Sequence, residues 1–317
     1  MKLAFLLSPY TDASHLKRLV DSLPGESVFF VHVDKKSDIR PFEEALAGDT
    51  RVRFLAKRAN VAWGSIRQVE YQMELIRAAL AAEEAFDYFV TMSGMDYPVW
   101  SNRRILDHLE QHRGRQFLQA ICMKGQGKSA EIYTIYRPFA SHPWAKGSAG
   151  SKLRAALRKT IAWMGIRKPI EFDADGRHYT LYKGSDWHAI TPELARYVLE
   201  KWDHIPALRR YFKNSFTPSE TLIHTLAFNS SFAKDCMLVE GKYESLAALT
   251  PLTYIDYHPD IKVLSEEDFP RIVSSGKMFC RKVISGKSDK LVKMLDRHRA
   301  LEEENITPNG IRRPGNS

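Results

Sequence analysis

The sequence has few cysteines and no long apolar run. Only three cysteines occur among 317 residues, Cys122, Cys236 and Cys280, and they lie far apart. An odd, dispersed set argues against a disulfide framework or a zinc cluster and for a reducing compartment, so we interpret the three as small core residues. No run of eighteen apolar residues occurs, so no membrane-spanning helix is predicted. The opening "MKLAFLLSPY" has too short an apolar run for a signal peptide, which predicts a first strand and a cytoplasmic protein.

Several common active-site motifs are also missing. The sequence contains no G-x-G-x-x-G, no Walker A loop, no H-E-x-x-H and no G-x-S-x-G. A classical dehydrogenase and a P-loop enzyme are therefore not supported. Acidic residues are fewer than basic ones, 38 against 47, which gives a formal net charge of +9. That balance favours an anionic partner such as a phosphorylated ligand or an acidic membrane surface, and no basic run of nucleic-acid type is present.

The densest basic stretch is "SKLRAALRKTIAWMGIRK", residues 151–168. Its cations alternate with apolar residues at helical spacing, which predicts an amphipathic helix. We expect its apolar stripe to pack on the core beneath a solvated basic face. The alternative is loose contact of this helix with the face of an anionic membrane.

The first half of the chain alternates strand and helix signals. Apolar strand segments are predicted at 3–7, 27–34, 52–56 and 86–94. Helical patterns lie between them, and the clearest follows an S-x-x-Q cap formed by Ser65 and Gln68. This order is typical of an α/β fold with a largely parallel sheet, whose ligands bind beyond the carboxyl ends of the strands. The second half, with a further strand at 252–256 and a closing helix at 287–301, predicts a mixed sheet.

One carboxylate has two interpretations. In "FTPSETLIHTLAFNS", residues 216–230, Thr217 and Glu220 form a T-x-x-E capping box with Pro218 at the first helical position. From this stretch alone a helix cap is the favoured interpretation of Glu220. A catalytic base is the alternative, since a side chain in the first turn can also point toward a cleft.

Seven fragments of the chain occur in the order and approximate spacing of one known family. The fragments are "HVDKKSD", "VAWGSIRQVEYQMELIRAAL", "YFVTMSGMDYPVWSN", "YKGSDWHAIT", "TPSETLIHTLAFNSSF", "YIDYHPDIK" and "SSGKMFCRKV". On these fragments the chain resembles, from about residue 2 to residue 283, the branching enzymes that include the core-2 β-1,6-N-acetylglucosaminyltransferases and the peptide O-xylosyltransferases.

This resemblance implies an α/β, GT-A-type glycosyltransferase fold with a central, mostly parallel mixed sheet flanked by helices. It implies one domain over 1–304, with a nucleotide-sugar-binding half at about 1–120 and an acceptor half at about 121–304, followed by a flexible tail, 305–317. It also implies an inverting enzyme that uses a UDP-sugar and a glycan or glycoconjugate acceptor. N-acetylglucosamine is the favoured donor sugar. UDP-xylose as donor and a non-catalytic sugar-binding protein are the alternatives.

The resemblance also suggests roles for individual residues. It makes Glu220 the general base and reverses the preference for a helix cap. It places Arg281 and Lys282 at the donor diphosphate in place of a metal, and Asp34 at the uridine, where a strand-end turn is the alternative. Asp96, Ser185 and Trp187 are candidates for holding the sugar or the acceptor, with loop formation and core packing as the competing interpretations.

Two features qualify this picture. Thr253 stands where family members commonly carry an arginine, so Arg281 and Lys282 are expected to bear more of the diphosphate charge. Asp173 and Asp175 form a D-x-D, the spacing of many metal-binding glycosyltransferases, but a glycine and a hairpin pattern follow. We therefore expect a turn there, and no metal or other cofactor.

Overall fold

The computed structural model describes residues 1–142, 144–145, 147–257 and 260–305. The tail predicted for 305–317 lies outside these ranges, except for its first residue. The elements of the first part are β1 (Leu3–Ser8), α1 (Ala13–Ser22), β2 (Val28–Val31), α2 (Arg40–Ala45), β3 (Val52–Phe54), α3 (Ile66–Leu80), β4 (Tyr88–Ser93), β5 (Asp96–Pro98), α4 (Asn102–Gln111) and β6 (Gln119–Cys122). These elements confirm the predicted alternation of strands and helices.

The remaining elements are shorter and less regular. They are α5 (Lys128–Thr134), α6 (Ala149–Trp163), β7 (Glu171–Ala174), β8 (Arg177–Thr180), β9 (Tyr182–Lys183), β10 (Ala189–Ile190), α7 (Pro192–His204), α8 (Pro206–Lys213), α9 (Leu222–Phe228), β11 (Met237–Val239), β12 (Thr253–Ile255), α10 (Phe269–Ser274), β13 (Phe279–Arg281) and α11 (Asp289–Asn305). The strand expected at 252–256 and the closing helix expected at 287–301 are both present.

The central sheet has five strands in the order β10-β4-β1-β2-β3. Strands β4, β1, β2 and β3 are parallel, and only β10 runs antiparallel to its neighbour β4. Strand β1 lies between two neighbours, with Phe5 opposite both Phe29 and Val90. A strand buried on both faces needs a nearly continuous apolar sequence, which "LAFLL" supplies. The predicted mixed, mostly parallel sheet is confirmed.

Helices cover both faces of this sheet, because successive side chains of a strand point to opposite sides. Ala4 and Leu6 of β1 face a core shared with α3, α7 and α9. Leu3, Phe5 and Leu7 face a second core shared with α1, α4 and α11. The sheet thereby fixes the strand ends from which the loops of the candidate site extend.

A smaller sheet, β12-β13-β5, continues from the end of the central one. Its register sets Arg281 of β13 directly opposite Asp96 of β5, and Ile255 of β12 on the other side of Arg281. A third sheet has the order β11-β6-β9, and its edge strand β9 ends at Lys183. These two sheets bring residues from distant parts of the sequence to the ends of the central strands.

Two of the predicted local motifs form as expected, with one change of partner. Ser65 is the N-cap of α3 and accepts a hydrogen bond from the Arg67 amide, while Gln68 accepts one from the amide of Gly64 rather than that of Ser65. The D-x-D segment is a hairpin between β7 and β8, with Asp175 and Gly176 at positive φ, 54° and 67°. The turn predicted there is confirmed.

The capping box predicted at Thr217 is wrong. Thr217 has left-handed backbone angles and makes no side-chain cap, and a 3-10 turn, Pro218–Glu220, precedes α9. The helix begins only at Leu222. Glu220 is therefore free to point away from the helix terminus, which the local pattern did not predict.

The basic helix predicted at 151–168 exists as α6, but it does not pack on the core. No residue of α6 is buried, and Leu153 and Trp163 are 61% and 85% exposed. The expectation of a core stripe is therefore wrong. Cys280 is a buried core residue as expected, whereas Cys122 and Cys236 are only half-buried. Within the described ranges, no helix combines the length and apolar character needed to cross a bilayer.

Candidate functional site

A cavity of about 730 Å³ opens at the carboxyl ends of β1, β2 and β4, the edge where the sequence predicts a ligand site. One wall includes Ser8, Pro9, Asp34 and Lys36, and the opposite wall comes from the loops around β9 and the Glu220 turn. Gly94, in the loop after β4, packs against Pro9 of the first wall, since a Cβ at Gly94 would lie 2.6 Å from the Cβ of Pro9. The fold thus assembles one cleft from both halves of the chain.

Glu220 lies in this cavity and pairs with a lysine that we did not predict. The Nζ of Lys183 lies 2.7 Å from Oε2 of Glu220, and the two side chains are 1% and 15% exposed. The Lys183 ammonium also donates to the carbonyl of Gly184 at 2.9 Å. Since that ammonium has no other acceptor among the described residues, Glu220 supplies its counter-charge.

The backbone around this ion pair is held by close packing. The amide of Gly184 donates to the carbonyl of Glu220 at 2.9 Å, which ties the turn to β9. A Cβ at Gly184 would lie 2.2 Å from the His224 ring and 2.3 Å from the carbonyl of Gln119. Only glycine fits there, and this requirement fixes Lys183 relative to the Glu220 turn.

Aromatic rings surround the Lys183 ammonium. The rings of Tyr133 and Tyr243 lie with their centroids 5.1 and 5.4 Å from its Nζ, and both residues line the cavity. The faces of aromatic rings attract cations, so these rings help to hold the ammonium group in its place beside Glu220. The pKa values of both phenols are raised, chiefly by burial, so neither is an acid near neutral pH.

A second carboxylate, Asp186, lines the same wall. It accepts hydrogen bonds from Nε2 of Gln72 at 3.2 Å and from the hydroxyl of Ser219 at 3.3 Å. Burial, and then the negative charge of Glu220, raise the pKa of Asp186 to about 6. Two carboxylates that share one cavity tend not to ionise together, so the negative charge of Glu220 favours the protonated form of Asp186.

Asp96 has no surface in the cavity. Its buried carboxylate accepts from the Ser93 amide at 2.8 Å, from the Trp187 indole at 3.1 Å and from Nη1 of Arg281 at 3.0 Å. Ser185 is also buried, and its hydroxyl donates to the carbonyl of Trp187 at 3.4 Å. Neither residue lines the cavity in this structure, and the contact with sugar or acceptor that the resemblance suggested for them stays a prediction.

Arg281 and Lys282 do line the cavity, as the predicted diphosphate site requires. Asp96 and Ser93 hold the Arg281 guanidinium, which lies 4.9 Å from the centroid of the Trp187 ring, so Trp187 supports the cation as well as lining the cavity. Burial, and then the charge of Arg281, lower the pKa of Lys282. Thr253, where relatives commonly have an arginine, is buried and does not line the cavity.

Asp34 follows β2 and lines the cavity. Its carboxylate accepts from the amides of Lys36 at 3.0 Å and Val61 at 3.3 Å, so it also shapes its own loop. The neighbouring His32 accepts from the amide of Ala59 at 2.8 Å, and burial lowers its pKa to about 4. His32 is buried, and its ring stacks on that of Tyr71 with centroids 4.7 Å apart.

An exposed tryptophan and a half-buried phenylalanine lie side by side in the lining of the cavity. Trp63 is 77% exposed, and its ring meets that of Phe216 edge-on with centroids 5.5 Å apart. Gly64, at φ +71°, places this tryptophan beside Phe216. We did not predict either aromatic as a site residue. The position of Trp63 in a loop, directly before Gly64 and Ser65, was a usable signal.

Among the residues that the structure describes, no group of three or more His, Cys, Asp or Glu side chains is placed to hold a metal ion. Asp173 of the D-x-D is exposed, and its Oδ1 lies 2.9 Å from Nδ1 of His178. Neither Asp173 nor Asp175 lines the cavity.

Comparisons with known proteins agree on a family. Residues 3–273 match the family model described as Core-2/I-Branching enzyme. The chain is 26% identical to Xylosyltransferase 2 of Homo sapiens over 238 residues, which cover 73% of this chain and 25% of that protein. It is 24% identical to Xylosyltransferase 2 of Canis lupus familiaris over 321 residues, 94% of this chain and 34% of the relative.

Among solved structures, the chain is similar to the galactosyltransferase LgtC in complex with donor and acceptor sugar analogues, at 12% identity and a TM-score of 0.42, with 97% of each chain covered. The chain spans about a quarter to a third of the length of the xylosyltransferases it matches. The family match covers the cavity-lining residues from Ser8 to Ile261 but not Arg281 and Lys282. With the central sheet, it gives the α/β, GT-A-type fold that the fragments implied. The chain belongs to the Core-2/I-Branching enzyme family.

Proposed function

We propose that the protein is an inverting glycosyltransferase that moves a sugar from a UDP-sugar to a hydroxyl of a glycan or glycoconjugate. The observation that carries this proposal is the position of Glu220, a carboxylate paired with Lys183 in the same cavity as Arg281 and Lys282. A base on one wall and cations on another are the two charged features that a single displacement needs. Membership of the family supports the same reaction class.

In the proposed reaction, Glu220 removes the proton from the acceptor hydroxyl as its oxygen attacks the anomeric carbon. The new carbon–oxygen bond forms on the face opposite the departing UDP, so the anomeric configuration inverts. The bond between the anomeric carbon and the diphosphate oxygen breaks, and its electron pair remains on UDP. Arg281 and Lys282 stabilise this growing negative charge.

We further propose that the reaction needs no divalent metal. The support is that Arg281 is a preorganised cation, held by Asp96 and Ser93 before any substrate binds. A fixed guanidinium beside a diphosphate needs little rearrangement as charge develops. Lys282 adds a second cation, so the two basic side chains serve the role that a metal serves in other enzymes of this fold class.

Two donors fit the proposal. The resemblance favoured UDP-N-acetylglucosamine, whereas the relatives named above are xylosyltransferases, which favours UDP-xylose. A screen of UDP-sugars for slow hydrolysis by the purified protein, with and without chelator, distinguishes these donors. We expect release of UDP from one donor at a rate that chelator does not change. Absence of hydrolysis for every UDP-sugar, together with no binding of UDP by calorimetry, would contradict the proposed function.

A further inference from the structure

The segment around α6 concentrates positive charge. Between Glu131 and Glu171 the sequence contains eight Lys or Arg residues and no Asp or Glu. Not all of these cations face solvent. Arg167 lies 2.9 Å from Glu131, and Lys168 is buried. A run of this length without a carboxylate nevertheless gives this part of the surface a positive potential that neighbouring acids do not cancel.

The inner face of α6 rests on the loop before it. Arg154 donates to the carbonyls of Phe139 at 3.4 Å and His142 at 3.2 Å, and Arg158 donates to the carbonyl of Pro138 at 3.4 Å. These bonds account for the two arginines and orient the helix. Leu157 and Ile161 are half-buried, whereas the side chains on the side of the helix away from these arginines are exposed.

That outer face is apolar as well as basic. Leu153, Ala156, Thr160 and Trp163 recur at spacings of three and four residues and form one stripe along the helix. Leu153 is 61% exposed and Trp163 85% exposed, and the chain continues with exposed Met164 and Ile166. Lys152 and Lys159 border this stripe, are exposed, and have no ion-pair partner among the described residues. We call Lys152, Leu153, Ala156, Lys159, Thr160, Trp163, Met164 and Ile166 the α6 surface.

We propose that the α6 surface docks on an anionic lipid bilayer. Exposed tryptophan and leucine on one face of a basic helix insert at the boundary between headgroups and acyl chains, and bordering lysines pair with anionic headgroups. A nucleic acid would use the cations but would leave the apolar stripe in water. The charge complementarity and the apolar stripe together therefore favour a lipid surface over a soluble polyanion.

The α6 surface is also connected to the cavity. The same segment carries Arg137, whose guanidinium lies 4.0 Å from the centroid of the Phe216 ring in the cavity wall. Docking through α6 therefore holds the cavity close to the bilayer, where an acceptor attached to lipid would be presented. This last consequence rests on the proposed transfer reaction, whereas docking itself does not.

The test is co-sedimentation of the full chain with vesicles, measured without donor or acceptor, so that its result is independent of the transfer reaction. Vesicles of phosphatidylcholine alone are compared with vesicles that also contain phosphatidylglycerol. We expect at least about tenfold tighter binding to the anionic vesicles. Binding should fall about fivefold for each of Lys152→Ala and Lys159→Ala, the usual worth of one cation near an anionic surface.

The apolar stripe is tested by the double variant Leu153→Ser/Trp163→Ser. Both side chains are exposed, so we expect an unchanged melting temperature together with at least a tenfold loss of vesicle binding that persists at high salt. The matched control is Lys293→Ala/Met294→Ser, an exposed cation and an exposed apolar residue on α11, which should bind vesicles like the wild type. Lipids brominated near the headgroup should quench the fluorescence of the wild type more than that of Trp163→Phe.

Three results would overturn the proposal. One is equal binding to neutral and anionic vesicles, or to neither. Another is wild-type vesicle binding by the Leu153→Ser/Trp163→Ser variant, or an equal loss in the α11 control. The third is preferential binding to a single-stranded RNA oligonucleotide that depends on Lys152 and Lys159 but not on Trp163, which would mark the α6 surface as a polyanion site.

Discussion

The ammonium of Lys183 lies 2.7 Å from the carboxylate of Glu220, and the lysine side chain is 1% exposed. Lys183 lies on β9 and Glu220 lies in the 3-10 turn before α9, and 37 positions of sequence separate them. A buried cation strongly prefers a fixed counter-charge, so this pair holds the Glu220 carboxylate in one place. The same pair explains why Glu220 has no role in capping α9.

Lys183→Met should loosen Glu220 without removing its carboxylate. We expect turnover to fall about tenfold, because a misplaced base is less effective than a positioned one. Steady-state rates at saturating donor measure this effect, with Lys293→Ala on α11 as a control for the loss of one positive charge. Turnover of Lys183→Met equal to that of the wild type would contradict a positioning role for Lys183.

Lys282→Ala should weaken UDP binding and slow transfer together. The ammonium meets charge that is already present on the donor and charge that develops as UDP departs. Calorimetry with UDP and steady-state kinetics provide the two measurements, with Lys293→Ala on α11 as a control for the loss of one positive charge. Unchanged UDP affinity in Lys282→Ala would remove Lys282 from the site.

Asp186→Asn should stabilise the protein in a pH-dependent way. The folded state raises the pKa of Asp186 from 3.8 to about 6, so the folded protein binds this proton more tightly than the unfolded chain does. The free energy of unfolding therefore falls as the pH rises through this range. At pH 7.5 the amide, which has no charge to bury, should raise the free energy of unfolding by up to about 3 kcal/mol.

The gain from Asp186→Asn should shrink as the pH falls and vanish well below pH 3.8, where Asp186 is protonated in both the folded and the unfolded state. Urea titrations at pH 7.5 and at about pH 3 test this. Asp175→Asn in the exposed turn is the matched control for the loss of one carboxylate, because asparagine tolerates the same positive φ. A stabilisation by Asp186→Asn that is equal at both pH values would argue against the raised pKa.

Transfer should persist in excess EDTA, and Asp173→Asn should retain wild-type activity. Asp173 lies in an exposed hairpin outside the cavity, and its carboxylate contacts His178. Rates with EDTA, with EDTA plus manganese, and with neither are the relevant comparison. Loss of activity in EDTA that manganese restores would contradict the metal-free proposal.

The sequence predicted well wherever one local signal fixes the structure. The apolar run of β1 and the turn at Asp175 and Gly176 formed as expected, because strand burial and a positive φ depend on the residues themselves. The capping box at Thr217 failed for the opposite reason. A cap pattern competes with tertiary contacts, and here a lysine far away in sequence claims the Glu220 carboxylate.

Other parts of the site depend on contacts that the sequence does not reveal. Asp96 and Arg281 are 185 positions apart, so their pairing follows only from the register of β5 with β13. That pairing places the Asp96 carboxylate against Arg281, behind the cavity wall. For α6, helical periodicity identified the amphipathic helix correctly, but periodicity alone does not distinguish a face that packs on the core from one that faces another surface.

The most direct test of the account compares Glu220→Gln with Lys183→Met. Both variants break the same ion pair, but only Glu220→Gln removes the proposed base. We predict that turnover of Glu220→Gln at saturating donor falls by about 10²–10⁴-fold, the usual worth of a positioned base, well beyond the loss in Lys183→Met, while UDP affinity stays near that of the wild type. Turnover of Glu220→Gln within a few-fold of Lys183→Met would contradict a catalytic role for Glu220.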